Sequence, residues 1–258
     1  SKGSENMAMV TMFEPDEAAM LPIVQRMTAD YPDLVQTVYR FVAYQFYHYG
    51  FPHFAPSALV YKALRIIGQA DNMPVVLLSL RRMITLLPML AGLWILVYMQ
   101  DQFKTWRSAA LFGFLLFIPA VVQNGFWWHP DGEVLLYASL ILFFLWKDQL
   151  TFGRNFFIAA ILCGVLAAMK VVGFFFFLAI AAVLIWGLIE KKLTWKQAVT
   201  KGLLFVLIMA VSIVIANPYL LIPSHRALAF QTLKREVLET SKGYGVFSKK
   251  GLVPSWPL

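Results

Sequence analysis

Charge is what this sequence has least of. Of its 258 residues only 14% are Asp, Glu, Lys or Arg, against 60% hydrophobic and 16% aromatic, whereas a soluble domain carries about a quarter of its residues charged. Together with a mean hydropathy of +0.67, this excludes a soluble globular domain and points to an integral membrane protein. Cysteine is nearly absent: the single Cys163 excludes an internal disulfide and a cysteine-rich metal site, and its apolar surroundings make it a packing residue. No internal repeat or low-complexity tract is visible. Nor is there the alternation of apolar and polar residues that a barrel strand shows over about 10 positions. The run from Phe174 to Ile180 is apolar on every face, so the spans are expected to be helices.

Acids are scarcer than bases, 14 against 22, for a net charge of +8. In a soluble protein that excess suggests nucleic acid. Here the bases gather in short loops between apolar runs, as the positive-inside rule describes, and no nucleic-acid partner is expected. Uncharged runs occupy 83–100, 108–128, 155–169, 171–189 and 202–224, with a shorter one at 134–146; several approach the length of a membrane-crossing helix. Lys104 and Arg107, then Lys147 and Arg154, then Lys191, Lys192, Lys196 and Lys201 mark three cytoplasmic loops. The turn from His129 to Glu133, the Lys170 turn and the tail from Pro223 onward then face outward. The expected organisation is an outer polar segment (1–53), a helical membrane body (54–224) and a basic outer tail (225–258). The polar opening Ser1–Asn6 and the Trp- and Pro-containing stretch Pro254–Leu258 lead us to expect a longer protein.

The rare acids cluster. Glu14, Asp16 and Glu17 fall within four positions around Pro15, and neighbouring carboxylates repel and resist desolvation unless water, a cation or a substrate offsets the cost. Two readings stand: a chemical site, or first-turn acids favoured by a helix dipole with Pro15 at the helix start. An amphipathic helix is predicted over 18–29 and a second over 34–47. The aromatic residues of the second, among them Tyr39, Tyr44, Tyr47 and nearby Tyr49, suit the headgroup level. The turn Tyr49-Gly50-Phe51-Pro52-His53 leads into a short helix over 58–67.

In order and spacing, these features resemble the polyprenol-dependent GT-C glycosyltransferases over roughly residues 12–224. The features are the Pro15-Asp16-Glu17 cluster, two interfacial helices, the Tyr49-Gly50-Phe51-Pro52 turn, a helix led by Arg81 and Arg82, and Asp131 in a short turn after further apolar runs. The members it looks like are the bacterial relatives of the protein O-mannosyltransferases and the lipid A aminoarabinose transferases. The resemblance implies an all-α polytopic membrane protein, a GT-C-type bundle with interfacial helices in its first outer loop. It also implies transfer of a sugar from a polyprenyl phosphate donor to an acceptor protein, lipid or glycan on the outer face of a bacterial inner or plasma membrane.

By the same resemblance Asp16 is the general base that takes the acceptor's proton, while Glu17 orients the acceptor or Asp16. Glu14 is less constrained by the pattern. The leaving phosphate calls for cationic or hydrogen-bonding groups, and the candidates are His53, Arg82 and Lys170. His53 stands where the aminoarabinose transferases carry a Lys, so a structural role competes for it; Lys170, alone between apolar runs, is either a clamp or a residue that snorkels. Asp131 is the expected second acid, on the donor's hydroxyls or beside Asp16 on a metal, with helix capping as the plain competitor. Magnesium or manganese would suit those two carboxylates, and the pattern does not require either. The prenyl chain is expected along Phe174–Phe177, its phosphate at Lys170 or at Lys234 or Arg235 of the tail.

One conflict is built into this reading. Three full crossings between Asp16 and Asp131 would separate the two acids, so a partial or re-entrant segment is expected, most simply the 12-residue stretch 58–69. Two rival classes are a transporter, which needs acids that the stretch between Arg154 and Ile189 lacks, and a non-catalytic assembly protein of the same fold.

Overall fold

A computed structural model describes residues 4–241. Those residues are helical throughout their regular structure, with no strand among them. The chain begins with α1 (Met7–Phe13), capped by the Asn6 side chain on the Met9 amide, and α2 (Pro15–Met27), which starts with Pro15 at its first position and carries Asp16 and Glu17 in its first turn. Next come α3 (Leu34–Val42) and α4 (Phe51–Ile66). A continuous helix over Met73–Asp101 follows, made of α5 (Met73–Leu80), a π-helical turn (Arg81–Leu86) and α6 (Leu87–Asp101).

The return is shorter and broken: α7 (Trp106–Leu116) and α8 (Pro119–Asn124) flank Pro119. Then α9 (Asp131–Asp148) and α10 (Arg154–Met169) form an antiparallel pair. A 3₁₀ turn (Val171–Phe175) leads into α11 (Phe176–Ile189), then α12 (Trp195–Ala216), a second 3₁₀ turn (Pro218–Leu221) and α13 (Pro223–Ser241). Among the described residues, three segments are long and apolar enough to cross a bilayer: Met73–Asp101, Val171–Ile189 and Trp195–Ala216.

Two apolar cores divide the fold. The first joins α2, α4 and α5 to Tyr44, Tyr47, Trp128 and Tyr219. The second joins α9, α10, α11 and α12 around Phe152, Phe156, Cys163 and Phe205. Cys163 is buried there, as its packing role requires. At one end of this second layer Lys170 meets Asp131; at the other, the Phe156 amide donates to Asp148 and Lys201 Nζ to the Phe152 carbonyl. α6 runs parallel to α9, since Thr85 meets His129 and Tyr98 lies beside Phe143. The loops carrying Lys104, Lys147, Arg154 and Lys191 therefore share the end remote from Asp131, about 27 Å away for an 18-residue helix.

The stretch 58–69 falls on the second half of α4 and the turn after it; α4 packs on α2 and α5 in the first core and does not run the length of the bundle, in line with the expected partial segment. Only two passes separate Asp16 from Asp131, out along Met73–Asp101 and back along 106–124, so both acids lie at one end. The uncharged run 108–128 is not one helix, because Pro119 has no N–H for the ladder and its ring clashes with the preceding turn. The boundary at 53/54 falls inside α4, whose Pro52 sits comfortably in the first turn. The helix expected over 34–47 stops at Val42, and its apolar residues Leu34, Val35 and Val38 stay exposed. Of the tail, residues up to Ser241 form α13; the rest, including Pro254–Leu258, lies outside the described residues, as does Ser1–Gly3.

Candidate functional site

Five side chains from five segments meet where the two cores join. Asp16 comes from the first turn of α2, Tyr49 from the turn before α4, His129 from the turn before α9, Asp131 from the first turn of α9, and Lys170 from the end of α10. Tyr49 Oη donates to Asp16 Oδ2 at 3.4 Å and lies 2.8 Å from His129 Nε2. His129 Nε2 is 3.8 Å from Asp16 Oδ2. On the other side of the ring, Nδ1 is 3.0 Å from Asp131 Oδ2, without the alignment of a hydrogen bond. Lys170 Nζ donates to Asp131 Oδ1 at 2.5 Å and sits 6.0 Å from the centre of the Tyr49 ring. Trp127 stacks on the His129 ring at 4.5 Å between centroids and fixes its plane.

The five side chains differ in exposure. The Asp16 side chain is 50% exposed, those of Asp131 and Lys170 about a third, and His129 6%. Burial, followed by the Asp16 and Asp131 carboxylates, pushes the Tyr49 phenol well above its usual range, so it stays a donor. Burial first, then the neighbouring Glu17 and Asp16, raise the Glu14 carboxyl above its ordinary value, with Arg81 opposing.

Backbone close approach makes the site possible. Gly50 sits so tightly against α10 that a Cβ would stand 1.7 Å from the Ala168 carbonyl oxygen, and its N–H donates to the Met169 carbonyl at 2.8 Å. The Asn217 side chain bridges the same seam, accepting from the Phe51 amide at 2.9 Å and donating to the Ala168 carbonyl at 3.0 Å. Lys170 is thereby held beside the Tyr49 turn.

The predicted residues divide. Asp16, Asp131 and Lys170 are gathered at one mouth. Glu17 is not: it is fully buried, accepts from Arg81 Nε at 2.8 Å and Nη2 at 2.6 Å, and takes the Trp128 amide at 2.5 Å. It therefore cannot orient an acceptor by contact. His53 is also fully buried, behind the mouth; Nδ1 pairs with Glu133 Oε2 at 2.6 Å, the ring stacks on Trp128, and the buried Nε2 has no hydrogen-bond partner among the described residues, so the side chain does not reach the mouth as a phosphate ligand. Arg82 points outward, and Arg81 is the arginine turned into the fold. Asp131 makes no capping bond; its carboxylate goes to Lys170. Tyr49 and His129 were legible only as an interfacial aromatic and part of an acidic turn.

The donor set does not fit a resident magnesium or manganese. One Asp131 oxygen is held by Lys170 and the other faces His129, and among the described residues no three His, Cys, Asp or Glu are placed to share a cation. Beside Lys170 opens a cavity of ≈ 170 Å³ whose lining includes Tyr47, His48, Phe174, Asn217 and Leu233. Phe174 joins it, while Phe175 and Phe177 lie exposed. Lys234 is exposed, and Arg235 turns to Glu239 at 2.7 Å. No family model, no curated protein and no solved structure matches the chain.

Proposed function

We propose that this chain is a multi-pass membrane glycosyltransferase of GT-C type, moving a sugar from a polyprenyl phosphate carrier to an acceptor hydroxyl at the outer face, with Asp16 as general base. The observation that carries the reading is the half-exposed Asp16 carboxylate at the same mouth as Lys170, whose flank is an apolar cavity. Asp16 takes the acceptor's proton as its oxygen bonds to the anomeric carbon; the bond from that carbon to the phosphate oxygen breaks, and its electron pair leaves with the polyprenyl phosphate. Tyr49 holds the carboxylate by its phenol. Lys170 turns from Asp131 to the phosphate, and the prenyl chain lies along Phe174. Each buried methylene contributes about 0.8 kcal/mol, so the protein has mainly to clamp the head.

The test is release of undecaprenyl phosphate by the reconstituted protein from a panel of undecaprenyl phosphate-linked hexoses and aminopentoses, with acceptor membranes present. Asp16→Asn is expected to slow release about 100-fold to 10,000-fold. Equal release by both proteins removes Asp16 from the mechanism, and no release from any donor removes the glycosyl-transfer reading.

A further inference from the structure

The helix Met73–Asp101 buries Leu77, Arg81, Thr85, Met89, Leu93 and Val97, a row spaced by four residues. In an α-helix each such step overshoots a turn by about 40°, so the row would wind away from its partners. The π turn Arg81–Leu86 closes a wider ring and takes up part of that drift, and π turns of this kind concentrate at functional sites. It keeps Arg81 and Thr85 facing the same seam.

What they face is the scaffold of both acids. Arg81 grips Glu17, the residue after Asp16, through two donors, and the same carboxylate takes the Trp128 amide. Thr85 Oγ1 donates to the His129 carbonyl and accepts its amide, each at 3.0 Å. A Cβ on Gly132 would stand 2.2 Å from the Thr85 carbonyl oxygen, so α9 starts hard against the π turn. A buried ion pair adds little stability beyond an apolar pair of the same volume, whereas a planar fork and a reciprocal hydroxyl bond fix direction as well as distance.

We infer that Arg81 and Thr85 are positioning residues: the π turn sets the separation of Asp16 and Asp131 by holding Glu17 on one side and the Trp128–His129 backbone on the other. This rests on the glycosyl-transfer reading for its consequence, since misplacement by about 1 Å costs a reaction of this kind about 100-fold. The geometry itself is tested without it.

In full-length protein carrying Asp16→Cys and Asp131→Cys, with Cys163 buried in the bundle, bis-maleimides of increasing spacer length should cross-link the two thiols with a sharp optimum. Thr85→Val, nearly isosteric, should flatten that optimum and cut the peak yield several-fold, while Thr85→Ser preserves it. Where Thr85→Val does not elute as a folded protein, Arg81→Lys carries the test and is expected to show the same loss. An optimum unchanged by the disruptive variant overturns the positioning role, whatever the activity. With Asp16 and Asp131 intact, Thr85→Val should lower kcat about 10-fold to 100-fold with donor KM little changed, and Thr85→Ser should restore it. A shift in KM alone also overturns the assignment. Cross-linking as expected, with the parent protein (Asp16 and Asp131 intact) releasing no undecaprenyl phosphate from any donor, keeps the positioning geometry and removes the glycosyl-transfer reading.

Discussion

Removing the charge of Glu17 should destabilise the protein more than removing Glu17 and Arg81 together. The Glu17 side chain has no exposure and that of Arg81 8%, so neither finds water when its partner is lost. Glu17→Gln removes the carboxylate that two Arg81 donors grip, and Arg81→Met leaves that buried carboxylate with the Trp128 amide. Breaking such a pair from either side costs roughly 3–5 kcal/mol. The double variant Glu17→Met/Arg81→Met removes both charges and keeps much of the volume. What remains is the Trp128 amide without its acceptor, a loss of about 1–3 kcal/mol. The two singles should therefore be far from additive, as expected for residues in direct contact. The assay is denaturant unfolding in detergent micelles, followed by tryptophan fluorescence, on all four proteins. A double variant less stable than each single would refute the buried pair as described and put the carboxylate in contact with water.

Three further outcomes follow from the same geometry. Because burial and like charges raise the Glu14 carboxyl, the folded state holds that proton more tightly than the unfolded one, and the associated stability is present at low pH and lost as pH rises through the folded value. Glu14→Gln should accordingly raise the unfolding midpoint at pH 7 and confer little at pH 4; an equal gain at both would sink the assignment. Lys170→Met should weaken use of the lipid-linked donor far more than that of the acceptor, read from donor-concentration dependence of undecaprenyl phosphate release, and an unchanged dependence would leave Lys170 as a partner of Asp131 only. Gly132→Ala forces a Cβ into the Thr85 carbonyl and should cost about 1–3 kcal/mol, measured in the same unfolding assay, with no loss meaning that the turn has room to shift.

What the sequence revealed and what it hid have physical causes. Asp16 and Lys170 stood out because ionic groups among apolar runs carry a desolvation cost that composition exposes at once. Choosing Arg82 over Arg81 was a one-residue matter of helix phase, which the π turn just ahead of Pro88 shifts. Glu17 and His53 read as surface chemistry because sequence does not report that Arg81 and Glu133, 64 and 80 positions away, hydrogen-bond to them in the interior. The run 108–128 looked continuous to a count of charges, but it breaks before Pro119 and ends again at Asn124. The placement of Asp16 and Asp131 at one end was legible in the shortness of 58–69, and the packing of α4 beside α2 agrees with it.

The Asn217 bridge bears on the order in which the protein is made. Its amide ties the Phe51 backbone to the Ala168 carbonyl, yet it emerges only after the whole of α12. Chains grow from the N-terminus and early units fold first, so a nascent chain ending at Ile189 already carries Asp16, Tyr49, His129, Asp131 and Lys170. It has nothing at position 217 to pin the Tyr49 turn against α10. Gly50 can already meet Met169 in such a chain, and the Asn217 tie that fixes the register of the Tyr49 turn against α10 is added last, after Trp195–Ala216 has been made.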